Sequence, residues 1–145
     1  MSAASPETYT ALPHLLATAK ETLIRETHRR LHAAGYPEIT ANGCVFRWLE
    51  PEGSRLSEMV DHSGMTKQAF GEHVASLEHH GYVTRVPDPA DGRGKLVVPT
   101  DRGRAALSQA RRIFVEIEAE WSEVVGAEQL AAVRDTLARI AALPS

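Results

Sequence analysis

The sequence predicts a mostly α-helical chain with one small β-hairpin, in which short helices and the hairpin form a lobe between long N- and C-terminal helices. Apolar residues recur at the helical period over most of the chain. Only residues 82–98 change to an aromatic and β-branched pattern, which a turn-forming segment divides in two. The length of 145 residues suits a single domain with a substantial core.

The first predicted helix runs from about residue 12 to residue 34. Pro13 is tolerated in its first turn, and Gly35 followed by Pro37 ends it. One face is apolar at helical spacing, through Leu12, Leu15, Leu16, Ala19, Leu23 and Leu31. Such a helix needs a surface against which this face can pack.

Two short helices are expected next. Thr40 is the predicted N-cap of a helix that continues to Trp48, and Pro51 and Gly53 break the pattern after it. Ser54 is the predicted N-cap of the second helix, from residue 55 to residue 62. Its inward side would carry Leu56, Met59 and Val60.

A tight turn at residues 63–64 then leads to a helix from Thr66 to His80, which Gly81 stops. Its inward positions are Ala69, Phe70, Val74 and Leu77. Two strands follow, residues 82–86 and 95–98, joined by a long polar tip. Thr100 is the predicted N-cap of a long helix that Gly126 interrupts, and a last helix covers residues 127–142.

Two short helices joined by a glycine-containing turn and followed by a hairpin make the winged helix-turn-helix arrangement. We therefore expect one domain over residues 1–145, with this lobe at about 38–100 and the long helices at about 10–36 and 101–143. So small a chain cannot cover every apolar stripe of its terminal helices. These helices are predicted to form a dimer interface, the alternative being a purely internal helical core.

The charge is unevenly distributed along the chain. The formal net charge is −3, yet residues 81–112 carry seven basic side chains against three acidic ones. A basic segment in an acidic chain is consistent with a polyanionic partner. The single cysteine, Cys44, cannot form an internal disulfide, so a reducing, cytoplasmic setting is expected. Residues 1–10 lack the pattern of a secretory signal, and no apolar run suits a membrane span.

The motifs of residues 40–107 resemble those of the multiple-antibiotic-resistance regulator (MarR) family. The most specific part is the hairpin, or wing: Asp-Gly-Arg at residues 91–93, an apolar strand at 96–98, and Thr-Asp-Arg-Gly at 100–103. Residues 64–69 and 77–85 fit the helix-turn-helix and the entry into the wing. The resemblance implies a homodimeric transcription factor on a palindromic double-stranded DNA operator. Such a factor is usually a repressor, often released by a small ligand such as an aromatic acid.

The resemblance and the residue chemistry together assign a set of DNA-contacting residues. On the recognition helix, lysine suits guanine or phosphate, glutamine suits adenine, and glutamate accepts from cytosine N4. At the tip, Arg93 suits a narrow minor groove, and Asp91 is placed to hold its guanidinium outward, as this pair does in the family. Many relatives carry Thr and Arg where this chain has Gly71 and Glu72. The predicted set is Thr66, Lys67, Gln68, Gly71, Glu72, His73, Arg85, Asp91, Arg93 and Lys95.

Other functions and sites are less well supported by the sequence. The alternative function is a winged-helix protein-interaction module without DNA binding, against which the basic wing argues. No phosphate loop, nucleophile elbow or paired apolar-site carboxylates occur, so neither an enzyme nor a cofactor is expected. His28 and His32 have a metal-compatible spacing without a third ligand, and Cys44 suits a buried, inert thiol, so no metal is expected. The ligand-binding residues are unknown: His14, Arg47, Trp48 and Phe114 are equally credible as core or surface.

Overall fold

The computed structural model describes residues 9–145, and it contains five α-helices and a three-stranded antiparallel sheet over that part of the chain. Most of the segment for which no secretory signal is predicted, residues 1–10, lies outside the described residues. The elements in order are α1 (Leu12–Ala33), a 3-10 helix (Ala41–Arg47), β1 (Ser54–Arg55), α2 (Leu56–Ser63), α3 (Lys67–His79), β2 (Val83–Asp88), β3 (Asp91–Pro99), α4 (Asp101–Val125) and α5 (Ala127–Ala141). The predicted fold class, mostly helical with a small wing, is confirmed.

The predicted boundaries of α1, α3, α4 and α5 agree with the structure to within one or two residues. Two helices have an N-terminal side-chain cap, of which the one at Thr100 was predicted and the one at Thr66 was not. The Thr66 hydroxyl accepts from the backbone N–H of Ala69, and the Thr100 hydroxyl accepts from that of Gly103, both at 3.1 Å. Gly81 follows α3 with a φ of 80°, a conformation that few residues other than glycine adopt.

The predicted cap at Ser54 is wrong. Ser54 lies in β1, paired with Val97, and its hydroxyl serves the preceding turn by accepting from the Glu50 N–H at 2.9 Å and donating to the Trp48 carbonyl. The side chain of Thr40 likewise makes no capping bond to the 3-10 helix. At Ser54, hydrogen bonds to the preceding turn thus replace the expected cap.

The wing differs from the expected hairpin in two ways. The structure adds a third strand, since β1 pairs with β3 at Leu96 and Val97. The β2–β3 ladder also runs far beyond the predicted strands, as far as the pair Asp88 and Asp91, with one irregularity between residues 87 and 88. The expected long loose tip is therefore reduced to residues 89–90, and Arg93 lies in strand β3.

The core forms where α1, the 3-10 helix, α2, α3, the sheet and α4 meet. The side chains facing it are almost all apolar, which satisfies the main requirement for a stable single lobe. Its buried members are Leu31, Ile39, Val45, Met59, Phe70, Val74, Leu77, Tyr82, Val83, Val97, Ala106, Ile113 and Ile117.

The terminal helices leave much of their apolar surface uncovered within one chain. No residue of α5 is buried, and the first two turns of α1 are also exposed. The exposed apolar side chains include Leu12, Leu15, Leu16, Val124, Val125, Val133, Leu137, Ile140 and Leu143. Across residues 9–145, none of the helices combines the length and apolarity that crossing a bilayer requires.

Candidate nucleic-acid interface

The turn between α2 and α3 orients α3 on the surface of the lobe. Gly64 has a φ of 69°, and the Ser63 hydroxyl closes the turn by donating to the Val60 carbonyl and accepting from the Met65 N–H. The buried side of α3 consists of Phe70, Val74 and Leu77. The remaining face of α3 is thereby turned outward.

The outward face of α3 carries most of the predicted recognition residues. Lys67, Gln68 and Glu72 are exposed, and neither Lys67 nor Glu72 forms an ion pair within residues 9–145. Gly71 is half-buried, and a side chain there would meet nothing within 4 Å. His73 is also half-buried, so it lies at the margin of this face. The structure thus brings together a cation, an amide and a carboxylate on two turns of one helix.

Two aspartates build the turn of the wing, which we define as residues 83–99. The Asp88 carboxylate accepts from the Ala90 N–H at 2.9 Å, and the Asp91 carboxylate accepts from the Arg93 N–H at 3.1 Å. Such side-chain-to-backbone bonds replace backbone pairing in a tight turn. The tip of the wing is therefore an ordered turn although glycines flank Arg93.

The expected contact between Asp91 and the Arg93 guanidinium is not the contact observed. Asp91 instead bonds the backbone of Arg93, and no ion pair joins the two side chains in the described part of the chain. Arg93 and Lys95 are both exposed, as the DNA-binding hypothesis requires. Asp91 thus shapes the strand that carries Arg93 and leaves the guanidinium free.

Arg85 is placed differently from the free surface cation that we expected. It shares one face of the sheet with Ser54 and Val97, both buried, because all three are aligned across the strands. Its Nε atom is buried and lies 3.5 Å from a carboxylate oxygen of Glu78 on α3. Arg85 therefore links the wing to the recognition helix, and its contact with phosphate stays a prediction.

The base of the wing is fastened to α4 by a polar cluster that the sequence reasoning missed. The buried Tyr82 donates its hydroxyl to Glu38 at 2.6 Å, and Arg102 donates to the same carboxylate at 3.0 Å. The bond from Tyr82, with help from Arg102, lowers the pKa of Glu38, while burial raises the pKa of Tyr82. The motif Thr-x-x-Gly at residues 100–103 was the available signal, since it places α4 against Tyr82.

The basic segment of residues 81–112 does not form one patch. Arg85 and Arg102 each lie within ion-pair distance of a carboxylate, that of Glu78 and of Glu38, so part of their positive charge is offset. Arg93 and Lys95 lie on the wing, and the remaining three lie along α4: Arg104, Arg111 and Arg112. The net charge of this segment consequently overstates the field near α3.

Two histidines and one cysteine were considered in the sequence as possible metal or redox sites, and the structure shows the surroundings of each. His28 and His32 stack 6.1 Å apart, and the Nε2 of the exposed His32 lies 2.7 Å from the Ile39 carbonyl, which links α1 to the segment after it. Within residues 9–145, no cluster of three or more potential metal ligands occurs. Burial raises the pKa of the Cys44 thiol, which opposes thiolate chemistry.

Of the four residues weighed for a ligand cleft, the structure brings two into direct contact. The Arg47 guanidinium lies 4.5 Å from the ring centroid of Trp48, and His62 stacks on the same ring. His14 is exposed near the start of α1, and Phe114 is half-buried on α4. The larger of two described clefts, about 480 Å³, lies between α1 and α4 and is lined by Thr22, Arg25, Glu26, Arg29, Arg30, Ile117, Glu120 and Trp121.

The fold and the geometry of α3 and the wing define a winged helix-turn-helix protein. The sequence profile of the MarR family matches residues 43–94, which contain the helix-turn-helix and the wing as far as Gly94. No curated protein matches the chain. The resemblance to the MarR family is confirmed by this match and by the fold that the chain shares with MarR-family structures.

Solved structures of transcriptional regulators share this fold over almost the whole chain. The transcriptional repressor CouR, bound to a 23-mer DNA duplex, is 23% identical with a TM-score of 0.74, and the match covers 97% of this chain and 99% of that one. CouR from Rhodococcus jostii RHA1 bound to p-coumaroyl-CoA has the same identity and a TM-score of 0.68, covering 90% and 92%. MarR of Escherichia coli, without ligand, is 23% identical with a TM-score of 0.71, covering 94% and 99%.

Proposed function

We propose that this protein is a sequence-specific transcriptional regulator that binds double-stranded DNA as a homodimer. The observation that carries the proposal is the pairing of two exposed elements in one lobe. The outward face of α3 holds Lys67, Gln68 and Glu72, and the wing beside it holds Arg93 and Lys95. None of the charged members of this set is neutralised by an ion pair within residues 9–145.

Each element suits one groove of the duplex. A helix presenting amide and charged side chains fits the major groove, where Lys67 suits guanine or phosphate and Gln68 suits adenine. An exposed arginine on an ordered wing fits a narrow minor groove, where the negative potential is concentrated. Lys95, two residues further along the strand, is placed for a phosphate. Thr66, Gly71 and His73 complete the proposed surface on α3.

The homodimer is supported by the surface of α5. Helix α5 contacts α4 but has no buried residue, so packing within its own chain stabilises it little, and short isolated helices are marginal in water. Leu137 and Ile140, 44% and 52% exposed, would be covered by a second copy of the chain. The proposed division is therefore a DNA-binding lobe at about 38–100 between dimerisation helices at about 10–36 and 101–143. Two such lobes related by a twofold axis would recognise a palindromic operator.

Repression and release by a small ligand form the finer part of the proposal. They are supported by the fold that the chain shares with CouR, which is named a repressor and has been solved with DNA and with p-coumaroyl-CoA. An aromatic acid or its thioester is accordingly the effector class to test. The effector would act by favouring a dimer in which the distance between the two lobes no longer matches the distance between successive major grooves.

Selection of bound sequences from a random duplex pool tests the proposal directly. We expect an enriched palindrome whose binding weakens steeply with salt, since phosphate contacts release counterions. Arg93→Ala should weaken binding to this site about 10-fold or more without changing the thermal midpoint, as expected for a lost base or groove contact of about 1–3 kcal/mol. Arg111→Ala, which removes an exposed arginine from α4, is the matched control. Failure to enrich any sequence, together with a flat salt dependence, would favour a protein-interaction module.

A further inference from the structure

One ion pair joins the turn of the wing to the start of the helix-turn-helix. The Nε of Arg55, the residue before α2, donates to a carboxylate oxygen of Asp88 at 2.6 Å. Asp88 is only 5% exposed, whereas the Arg55 side chain is 39% exposed. The other carboxylate oxygen of Asp88 accepts from the Ala90 N–H, so both oxygens have partners.

The position of this pair in the sheet gives it a specific mechanical consequence. β1 holds β3 only at Leu96 and Val97, and the β2–β3 ladder becomes irregular between residues 87 and 88. Beyond that point the wing has only its own turn to support it, and a two-stranded ribbon is marginally stable alone. The bond from Arg55 to Asp88 reaches past the irregularity and ties the distal wing to the end of β1, where α2 begins.

We propose that Arg55 and Asp88 are a positioning pair that fixes the wing relative to α3, so that Arg93 reaches the minor groove while α3 occupies the major groove. This inference rests on the proposed function, since it assigns roles within the same DNA-binding surface. Holding two contacting elements in one geometry avoids the entropy that binding would otherwise cost. Arg55 and Asp88 act through Arg93 and need no contact with a base.

The chemistry of the pair is consistent with a maintained ion pair. Asp88 is buried, and an ionised carboxylate in such a place requires hydrogen-bond donors. The Ala90 N–H and the Arg55 guanidinium supply them, and together they lower the pKa of Asp88. Asparagine at residue 88 would keep an acceptor for the Ala90 N–H but lose the charge that holds Arg55. The Asp88→Asn variant therefore keeps the hydrogen bond that forms the turn and removes only the ion pair with Arg55.

The test is a double-mutant cycle on the selected operator. Arg93→Ala is measured in the wild-type and in the Asp88→Asn background, and Asp91→Asn serves as the matched control because it removes the same charge near the DNA. We expect Arg93→Ala to weaken binding about 10-fold or more in the wild-type and Asp91→Asn backgrounds, but less than about 3-fold in Asp88→Asn. Footprinting should show loss of minor-groove protection in Asp88→Asn while major-groove protection by α3 remains.

Arg55 provides a second route if Asp88→Asn unfolds. Arg55→Gln should reproduce the loss of minor-groove protection, and Arg55→Lys should restore part of it by keeping a cation within reach of Asp88. An equal effect of Arg93→Ala in all backgrounds, with a wild-type protein that binds its operator, would overturn this inference and leave the proposed function standing. A wild-type protein that selects no sequence would overturn both.

Discussion

Gly103 of α4 lies directly against the backbone carbonyl of Tyr82, so closely that a Cβ atom on residue 103 would collide with the carbonyl oxygen. Thr100 secures the same junction, because its backbone N–H donates to the Tyr82 carbonyl and its hydroxyl donates to the Gly81 carbonyl. The first turn of α4 is thereby fixed to the residue that immediately precedes the wing. The motif Thr-x-x-Gly has a physical explanation here: threonine caps the helix and glycine allows its close approach.

We predict that Gly103→Ala destabilises the protein by about 2–3 kcal/mol, since the obstacle is backbone and cannot rotate away. The matched control is Gly71→Ala, also inside a helix, where the added methyl group would meet open space. That change should be neutral or stabilising by about 0.5–1 kcal/mol, because alanine is the better helix former. Urea unfolding of both variants at one fixed protein concentration measures the difference. Equal stability of the two variants would mean that α4 shifts freely away from Tyr82.

A second prediction concerns the bond from the Tyr82 hydroxyl to Glu38. Tyr82→Phe should cost about 1 kcal/mol at neutral pH, the typical loss for one hydrogen bond. The pKa of Glu38 is lowered in the fold, chiefly by this bond, so the associated stability is present above the ordinary pKa of a glutamate and is lost as the pH falls. The stability difference between wild type and Tyr82→Phe should therefore shrink from about pH 7 to about pH 3. A stability difference that stays constant over this pH range would show that protonation of Glu38 does not weaken the hydrogen bond from Tyr82.

Much of this fold could be predicted because its helices are long and regular. In α4, Ile113 and Ile117 are buried four residues apart, so the apolar period is evident from the chain alone. The cap at Thr100 was predictable for the same reason, since its bond is made to Gly103 only three residues away. Structure that depends only on residues a few positions apart can therefore be predicted from the sequence.

The features that were mispredicted depend on partners distant in the chain. Ser54 has the residue type of a helix cap, but it joins a strand because Val97 lies beside it in the fold. For Arg85, the contact with phosphate stays a prediction, but its approach to Glu78, which results from alignment with Val97, was missed. The partner of Asp88 is Arg55, which is 33 residues away. No periodicity specifies such pairs.

A third prediction tests the proposed dimer interface. Leu137→Glu should reduce dimerisation strongly, because a charge would replace an apolar side chain at the face that a second copy covers. Leu137 is exposed in the single chain, so the change should leave the fold of the lobe intact. Ala132→Glu is the matched control, since it adds the same charge on the side of α5 that carries Asp135 and Arg139. Sedimentation velocity and circular dichroism measure the two effects, and a stable Leu137→Glu dimer would contradict the assignment.

The fourth prediction concerns Glu72, an unusual residue for a surface that meets phosphates. Its carboxylate is exposed on α3 without an ion pair in the described part of the chain, and Gly71 beside it leaves the helix surface open. A carboxylate in the groove is repelled by the backbone of every sequence. It can recover this cost only where a base donates a hydrogen bond, and the exocyclic amino group of cytosine is the donor it fits best. Glu72 should therefore act mainly by rejecting sites that lack this cytosine.

Selections from one random duplex pool with wild type, Glu72→Gln and Glu72→Ala test this role. The wild-type site should contain a fixed cytosine in each half-site. Glu72→Gln should shift that position toward adenine, and Glu72→Ala should lose the preference there, worth about 1–3 kcal/mol. Both variants should bind unrelated duplexes more tightly, whereas Glu21→Gln, which removes an exposed charge from α1, should not. Identical selected sites from all three proteins, with no gain in affinity for unrelated DNA, would place Glu72 outside the groove and require a different orientation of α3.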